Sequence, residues 1–273
     1  MATCNEENTT EQMIISVLRK NGWEYIPADQ LDRSESDVIV ESMLRDALIR
    51  LNPVIAEDES RADAVIYKLR ALYLSTNKSN LVSQNELFKQ LVFEKNSFPF
   101  DKDGKQISID FFGTEINGKL DLNRYVVTNQ WYYPCKKQEH GKGLDIVLLI
   151  NGLPVVIGEL KTPVRAAVTW LDGASDINKY EQSMPQMFVF NIFNFATEGK
   201  MFRYGSVCMP ASMYGPWHSP GDKTEGTLAS VQNSVSDMIN KFKVIDLFQF
   251  FTLYATDSKY RKYKVIARYQ QYE

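Results

Sequence analysis

Gly143-Leu144-Asp145-Ile146-Val147-Leu148-Leu149-Ile150-Asn151-Gly152-Leu153-Pro154-Val155-Val156-Ile157-Gly158-Glu159-Leu160-Lys161 is the stretch that decides the fold of this chain. Two apolar arms flank an Asn-Gly pair, the commonest signature of a tight hairpin. Both arms are apolar on both faces, which predicts two central strands of a sheet covered by helices. The first arm opens with an acid and the second ends Glu-Leu-Lys. Charges at the ends of buried strands are costly to desolvate unless they are partnered or used.

Strand geometry turns this pattern into a structural expectation. Side chains alternate along a strand, so Glu159 and Lys161 share a face and Leu160 lies on the other. Asp145 reaches that face if Ile150 pairs with Pro154 across a three-residue loop, or if a bulge corrects the phase of a two-residue turn. An uncorrected two-residue turn puts the acids on opposite faces. On one face, Asp145 and Glu159 offer hard oxygen ligands for Mg²⁺, with the Leu160 carbonyl as a further ligand. Such an ion lowers the pKa of a bound water and offsets phosphate charge, and Lys161 can stabilise the charge that develops. The expected chemistry is phosphodiester hydrolysis; the same residues also fit a salt-bridged strand end.

Outward from the hairpin, apolar spacing predicts helices over residues 10–21, 36–51, 60–75 and 81–93, the second introduced by a capping box at Ser34 and Asp37. Short strands are expected over residues 23–26, 107–112 and 124–131. After the hairpin come a helix over 175–182, strands over 186–195 and 200–204, and a Gly/Pro/Ser-rich connection over 211–223. Residues 224–270 are expected to be helical. The basic run Lys259, Arg261, Lys262, Lys264 and Arg268 fits either a solvated helix face or a nucleic-acid contact.

Composition excludes several alternatives. The 273 residues are 44% hydrophobic and 24% charged with a net charge of −3, an ordinary globular balance with no overall basic signature. Cys4, Cys135 and Cys208 are scattered and odd in number, which predicts no disulfide framework and favours a cytoplasmic location. No apolar run approaches roughly 18 residues, so no membrane span is expected. Two histidines, His140 and His218, are too few for histidine-based hydrolysis or a histidine-rich metal site. Gly113-Thr114-Glu115-Ile116-Asn117-Gly118-Lys119 imitates a phosphate-binding loop, but Leu120 replaces the required hydroxyl residue. Trp131-Tyr132-Tyr133 fits base stacking or packing at the edge of the core.

The blocks Val126-Val127-Thr128-Asn129-Gln130-Trp131, Asp145-Ile146-Val147-Leu148, Asn151-Gly152-Leu153-Pro154 and Ile157-Gly158-Glu159-Leu160-Lys161-Thr162-Pro163 together resemble the N-terminal nuclease domain of type I restriction enzyme R (HsdR) subunits. The run Leu44-Arg45-Asp46-Ala47-Leu48-Ile49-Arg50-Leu51-Asn52-Pro53 is similar to the same family's early helix. Lys264-Val265-Ile266-Ala267-Arg268-Tyr269-Gln270-Gln271-Tyr272 is similar to its approach to an ATP-dependent motor. The blocks occur in family order from about residue 11 onward.

The resemblance implies an α/β fold of the restriction-endonuclease-like PD-(D/E)XK type, a mixed sheet flanked by helices with further helical segments at both ends. Residues 1–223 would form the nuclease domain, and 224–273 a helical connector with the start of the motor. It implies a type I site-specific deoxyribonuclease that cuts unmodified double-stranded DNA after ATP-driven translocation, with Mg²⁺ (or Mn²⁺) as cofactor and methyltransferase (M) and specificity (S) subunits as partners. ATP would bind only to the full-length protein, with Gln270 in an adenine-contacting motif. Asp145, Glu159 and Lys161 become the metal and catalytic residues. Leu144 stands in place of the family's proline. Asp176 and Tyr180 match the family's Gln-x-x-x-Tyr motif, with an acid where the family has glutamine. Glu11, with Glu86 as runner-up, is the candidate upstream helix glutamate. The alternative expectation is a weak or inactive nuclease fold used for DNA docking and subunit assembly.

Overall fold

The computed structural model describes residues 7–100, 106–134, 142–162 and 167–273. It is a mixed α/β structure. The N-terminal part comprises α1 (Glu7–Lys20), β1 (Glu24–Tyr25), α2 (Glu41–Leu51), α3 (Pro53–Glu57), α4 (Arg61–Leu74) and α5 (Leu81–Phe93). Then come β2 (Ser97–Pro99), β3 (Gln106–Ser108), β4 (Tyr125–Tyr133), β5 (Lys142–Ile150), β6 (Leu153–Leu160) and α6 (Trp170–Ser183). The C-terminal part holds β7 (Phe193–Thr197), β8 (Phe202–Gly205), α7 (Leu228–Met238), α8 (Lys241–Gln249), β9 (Thr252–Thr256), β10 (Lys262–Ile266) and α9 (Tyr269–Tyr272). One six-stranded mixed sheet runs in the order β1-β4-β5-β6-β7-β8, with β1/β4 and β6/β7 parallel and the other neighbours antiparallel.

The opening hairpin is the centre of this sheet. Leu148, Leu149, Ile150, Val155, Val156 and Ile157 are all fully buried, each contributing on the order of 1.5–3 kcal/mol by leaving water. Asn151 and Gly152 both take positive φ, +53° and +82°, as a two-residue turn matched to strand twist requires. Gly152 also lies against the start of α2. A Cβ there would stand 2.4 Å from the Val40 carbonyl, and the Val40 N–H donates to the Gly152 carbonyl. Asn151 is fixed by its side chain, which accepts from Arg124 N–H and donates to the Phe111 carbonyl and Asn123 Oδ1.

The turn is therefore the two-residue form, pairing Ile150 with Leu153, and the three-residue alternative does not form. Between Leu148 and Leu149 the register shifts by one: Leu149 pairs with Pro154 and Leu148 with Val156, leaving Val155 as a bulge. Its carbonyl accepts the N–H of Ile192 at the approach to β7. From the bulge onward partner numbers sum to 304, as in Ile146 with Gly158, which puts Asp145 opposite Glu159 on one face.

Several expectations are corrected. The helix expected over 36–51 begins only at Glu41. Ser34 and Asp37 close a turn instead, Ser34 N–H donating to the Asp37 carboxylate, because Val38 to Val40 run buried toward the hairpin. Residues 109–112 do not extend β3. Residues 185–188 form a short 3-10 helix, so the strand expected from 186 starts at Phe193. The terminal basic run is not a helix. It lies in and around the β9–β10 hairpin, where alternation buries Lys264 and exposes its neighbours. Lys262 pairs with Glu86 and Arg261 with Asp257, so the uniform basic helix face disappears.

The imitation phosphate loop is a turn whose Lys119 pairs with Asp110 at 2.7 Å. Cys208 is free; Cys4, Cys135 and His140 lie outside the described residues. Among the described residues no helix is long and apolar enough to cross a membrane. The apolar core is continuous from α1 through the sheet to α7 and α8, and the Trp23 indole N–H donates to the Ile239 carbonyl.

Candidate active site

At the open end of the hairpin the β5–β6 ladder stops at Ile146 and Gly158. Beyond it, Asp145 Oδ2 accepts the Leu160 N–H at 2.8 Å in place of a backbone carbonyl. The Lys161 N–H turns the other way and donates to the Thr197 carbonyl of β7. Gly158 lets β6 lie tight against its neighbour, since a Cβ there would stand 2.1 Å from the Phe195 ring. The strand end is thus pinned from both sides, and the acids and the lysine are presented together.

Helix α6 completes the arrangement. Thr169 caps it, accepting from Leu171 N–H while the Asp172 carboxylate accepts from Thr169 N–H. Asp176 and Tyr180 follow one turn apart and share a face. Lys161 Nζ lies 2.9 Å from Glu159 Oε1 and 2.7 Å from Asp176 Oδ2, and Lys179 holds the other Asp176 oxygen at 2.8 Å. The Tyr180 hydroxyl donates to Glu159 Oε1 at 3.3 Å. Glu159 is only 4% exposed, and its Oε2 has no hydrogen-bond partner among the described residues.

Helix α1 brings Glu11, which accepts from Asn129 Nδ2 at 2.7 Å and Gln130 Nε2 at 2.8 Å. Glu11, Gln130, Asp145, Glu159, Lys161 and Asp176 share the lining of one cavity of about 650 Å³, with Leu160 and Thr162 among the rest. Burial pushes the Asp145 carboxyl up to about 6 despite the Leu160 N–H and Lys161. Burial, then the neighbouring Asp145, pushes Glu159 up to about 8. Burial works against the Lys161 charge, but Glu159 and Asp176 outweigh it and hold the ammonium above its usual range. Two carboxylates crowded into a low-dielectric site want a cation between them.

The structure therefore gathers Glu11, Asp145, Glu159, Leu160, Lys161, Asp176 and Tyr180, and it leaves two candidates elsewhere. Glu86 pairs with Lys262 on the β9–β10 hairpin. Gln270 is exposed on α9 and does not line the cavity. Sequence reasoning missed Gln130 and Asn129 as site residues. Their signal was weak: with Thr128 they form a short polar run just before Trp131 in a strand otherwise of apolar and aromatic residues. Trp131 is wholly buried with Arg33 stacked 3.8 Å over its ring, so it packs.

Mg²⁺ fits this donor set. The ligands on offer are hard oxygens, one of them a buried carboxylate oxygen without a partner. Among the described residues no three or more His, Cys, Asp and Glu form a metal cage. Two carboxylates and a carbonyl leave room for the several waters Mg²⁺ keeps.

Comparison with known proteins places the chain in a family. The family model for the type I restriction enzyme R protein N terminus matches residues 3–211. The type I restriction enzyme HindI endonuclease subunit of Haemophilus influenzae is 26% identical over 279 residues, covering 97% of this chain and 26% of that protein. The provisionally named type I restriction enzyme MjaVIIP endonuclease subunit of Methanocaldococcus jannaschii is 30% identical over 168 residues, 56% of this chain and 15% of that protein. The chain thus spans about a quarter or less of the length of these relatives. With most of its residues matched by one family model, the chain belongs to the type I restriction enzyme R protein N-terminus family.

Proposed function

We propose that the cavity between β5, β6 and α6 is the Mg²⁺-dependent endonuclease centre of a type I restriction-modification R subunit, of PD-(D/E)XK type. It would cut unmodified double-stranded DNA in the cytoplasm. The observation that carries this is the Val155 bulge. It brings Asp145 and Glu159 onto one face, with Glu159 Oε2 buried and unpartnered among the described residues.

In this reading Asp145, Glu159 and the Leu160 carbonyl would hold the ion. When bound, it would supply Lewis acidity, lowering the pKa of a water and offsetting charge on the scissile phosphate. Lys161 stabilises the charge developing on phosphorus-bound oxygen as water adds and one P–O ester bond breaks. Asp176 and Glu159 keep its ammonium charged and aimed. Tyr180 orients Glu159 by donating to Oε1, and Oε2 keeps no partner among the described residues. Glu11 adds negative potential at the edge of the site. Translocation, ATP hydrolysis and assembly with M and S subunits would belong to the full-length protein, where Gln270 would begin an adenine contact.

A second reading, a nuclease fold retained for docking, is favoured by Asp176. Its carboxylate takes up Lys161 and Lys179 where the resembled motif carries a neutral glutamine. The deciding experiment is Lys161→Ala in the complete restriction complex. Cleavage should fall by at least about 10²-fold while ATP-driven translocation persists. Loss of both activities would make the lysine structural, and an unmodified complex that translocates without cutting would establish the docking reading.

A further inference from the structure

Strand β4 keeps one register with β5 on both sides of a single position that the ladder skips: Asn129 pairs with Ile146 and Trp131 with Leu144. Between them Gln130 has φ +50°, the left-handed region that a residue with a side chain avoids. It sits directly across from Asp145, so Gln130, Asp145 and Glu159 form a row across three adjacent strands. Strain of this kind persists only where its surroundings over-determine it, and it concentrates at functional sites.

The side chain shows what the distortion achieves. Gln130 Nε2 donates to Glu11 Oε2 at 2.8 Å and reaches toward Asp145 Oδ1 at 3.5 Å. One neutral amide thus stands between two acids from different elements, α1 and β5. Glu11 is held on its other oxygen by Asn129 Nδ2 at 2.7 Å, and Asn129 Oδ1 accepts from the Tyr25 hydroxyl at 2.8 Å. The chain Tyr25–Asn129–Glu11–Gln130–Asp145 therefore runs from β1 to the cavity, and Gln130 is its final link. Asp145 Oδ2 is already committed to the Leu160 N–H, so the orientation of the carboxylate depends on what meets Oδ1. Gln130 itself is exposed, and the fold does not need its side chain for packing.

We propose that Gln130 is a positioning residue of this centre: a left-handed backbone places its amide to bridge Glu11 and Asp145, presetting the Asp145 carboxylate for a divalent cation. The role rests on the metal-site reading above. Partners that orient metal ligands from the second layer are worth about 10–100-fold in metal affinity.

The test is Mn²⁺ titration of this chain, followed by electron paramagnetic resonance, alongside thermal unfolding without metal. Four proteins are compared: the unmodified chain, Gln130→Ala, Gln130→Gly and Asp145→Ala. Gln130→Gly is the informative variant, because it removes the side chain and relieves the backbone strain together. It should unfold at or above the temperature of the unmodified protein while binding Mn²⁺ about 10–100-fold more weakly, and Gln130→Ala should show the same loss of affinity. Asp145→Ala should abolish binding. If Gln130→Gly keeps affinity within about twofold while Asp145→Ala abolishes it, the proposed role of Gln130 is overturned and the metal site stands. If Mn²⁺ binds equally well to Asp145→Ala, both the metal site and the role built on it fall.

Discussion

Helix α6 separates two buried acid–lysine groups that look alike in composition and differ in what they leave unfinished. On one side, Glu159 and Lys161 meet Asp145 and Asp176 at the lip of a cavity, and Glu159 Oε2 lacks a partner among the described residues. On the other, Glu181 is equally buried but satisfied: Oε1 accepts from Cys208 N–H and Asn194 Nδ2, and Oε2 from Asn178 Nδ2. Lys264 lies in the same interior and donates to the Asn191 carbonyl at 2.7 Å. Burial pushes Glu181 up to about 7 and holds the Lys264 ammonium well below its usual range. The comparison teaches that burial of a charge does not mark a site. A desolvated carboxylate with an unmet oxygen on a cavity is poised for a ligand, whereas one surrounded by donors fixes the chain.

Substitutions at the two acids should therefore fail in opposite ways. The largest stability effect belongs to Glu181→Ala, which leaves three N–H donors without their acceptor. Urea unfolding should show a loss of about 3–5 kcal/mol, at about 1–3 kcal/mol for each unsatisfied group with partial relaxation. Glu159→Gln should shift stability by no more than about 1 kcal/mol, since it relieves crowding among acids, yet weaken Mn²⁺ binding at least about 100-fold in a calorimetric titration. Equal stability losses at the two positions would erase the distinction.

A pH dependence sharpens the contrast. A carboxyl whose folded pKa is raised gives stability that is full below its unfolded value and lost as pH rises through the folded one. For Glu159 the window runs from about 4.5 to about 8 in metal-free protein. Urea midpoints should fall across that range, the fall should be smaller in Glu159→Gln, and saturating Mg²⁺ should oppose it near its upper end. The smallest effect is expected for Lys264→Met. An apolar replacement of similar length removes a desolvated charge, and the Asn191 carbonyl keeps Asn85 Nδ2 at 2.8 Å. Stability should change by less than about 1 kcal/mol in either direction.

Legibility in the sequence followed the range of the interactions. The arms of the hairpin, α4 and α5 were plain because their apolar periods are local. The start of α2 was misplaced because Ser34 and Asp37 cap nothing but their own turn, while the docking of Val40 on Gly152 is a contact between distant segments. The basic run after residue 258 imitated a helix because its charges were counted without a partner strand. Pairing with β9 imposed alternation and buried Lys264. Asp145, Glu159 and Lys161 stood out as charges at strand ends. Gln130 did not, because nothing local distinguishes a glutamine with positive φ from one on any exposed edge.

By itself the sequence determined that two apolar arms would meet at Asn151-Gly152, since that pair alone in the stretch accepts two consecutive left-handed residues at low cost. It also determined which three charges would lie at the far end. Which face they share was decided only by the tertiary structure. The turn alone would have set Asp145 and Glu159 back to back, and one bulged residue, Val155, reversed that by shifting the register of every pair beyond it. The shift is held by Ile192, distant in sequence at the approach to β7, whose N–H meets the Val155 carbonyl. A period-two pattern carries no information about its own phase, so the phase had to come from a contact made elsewhere in the fold.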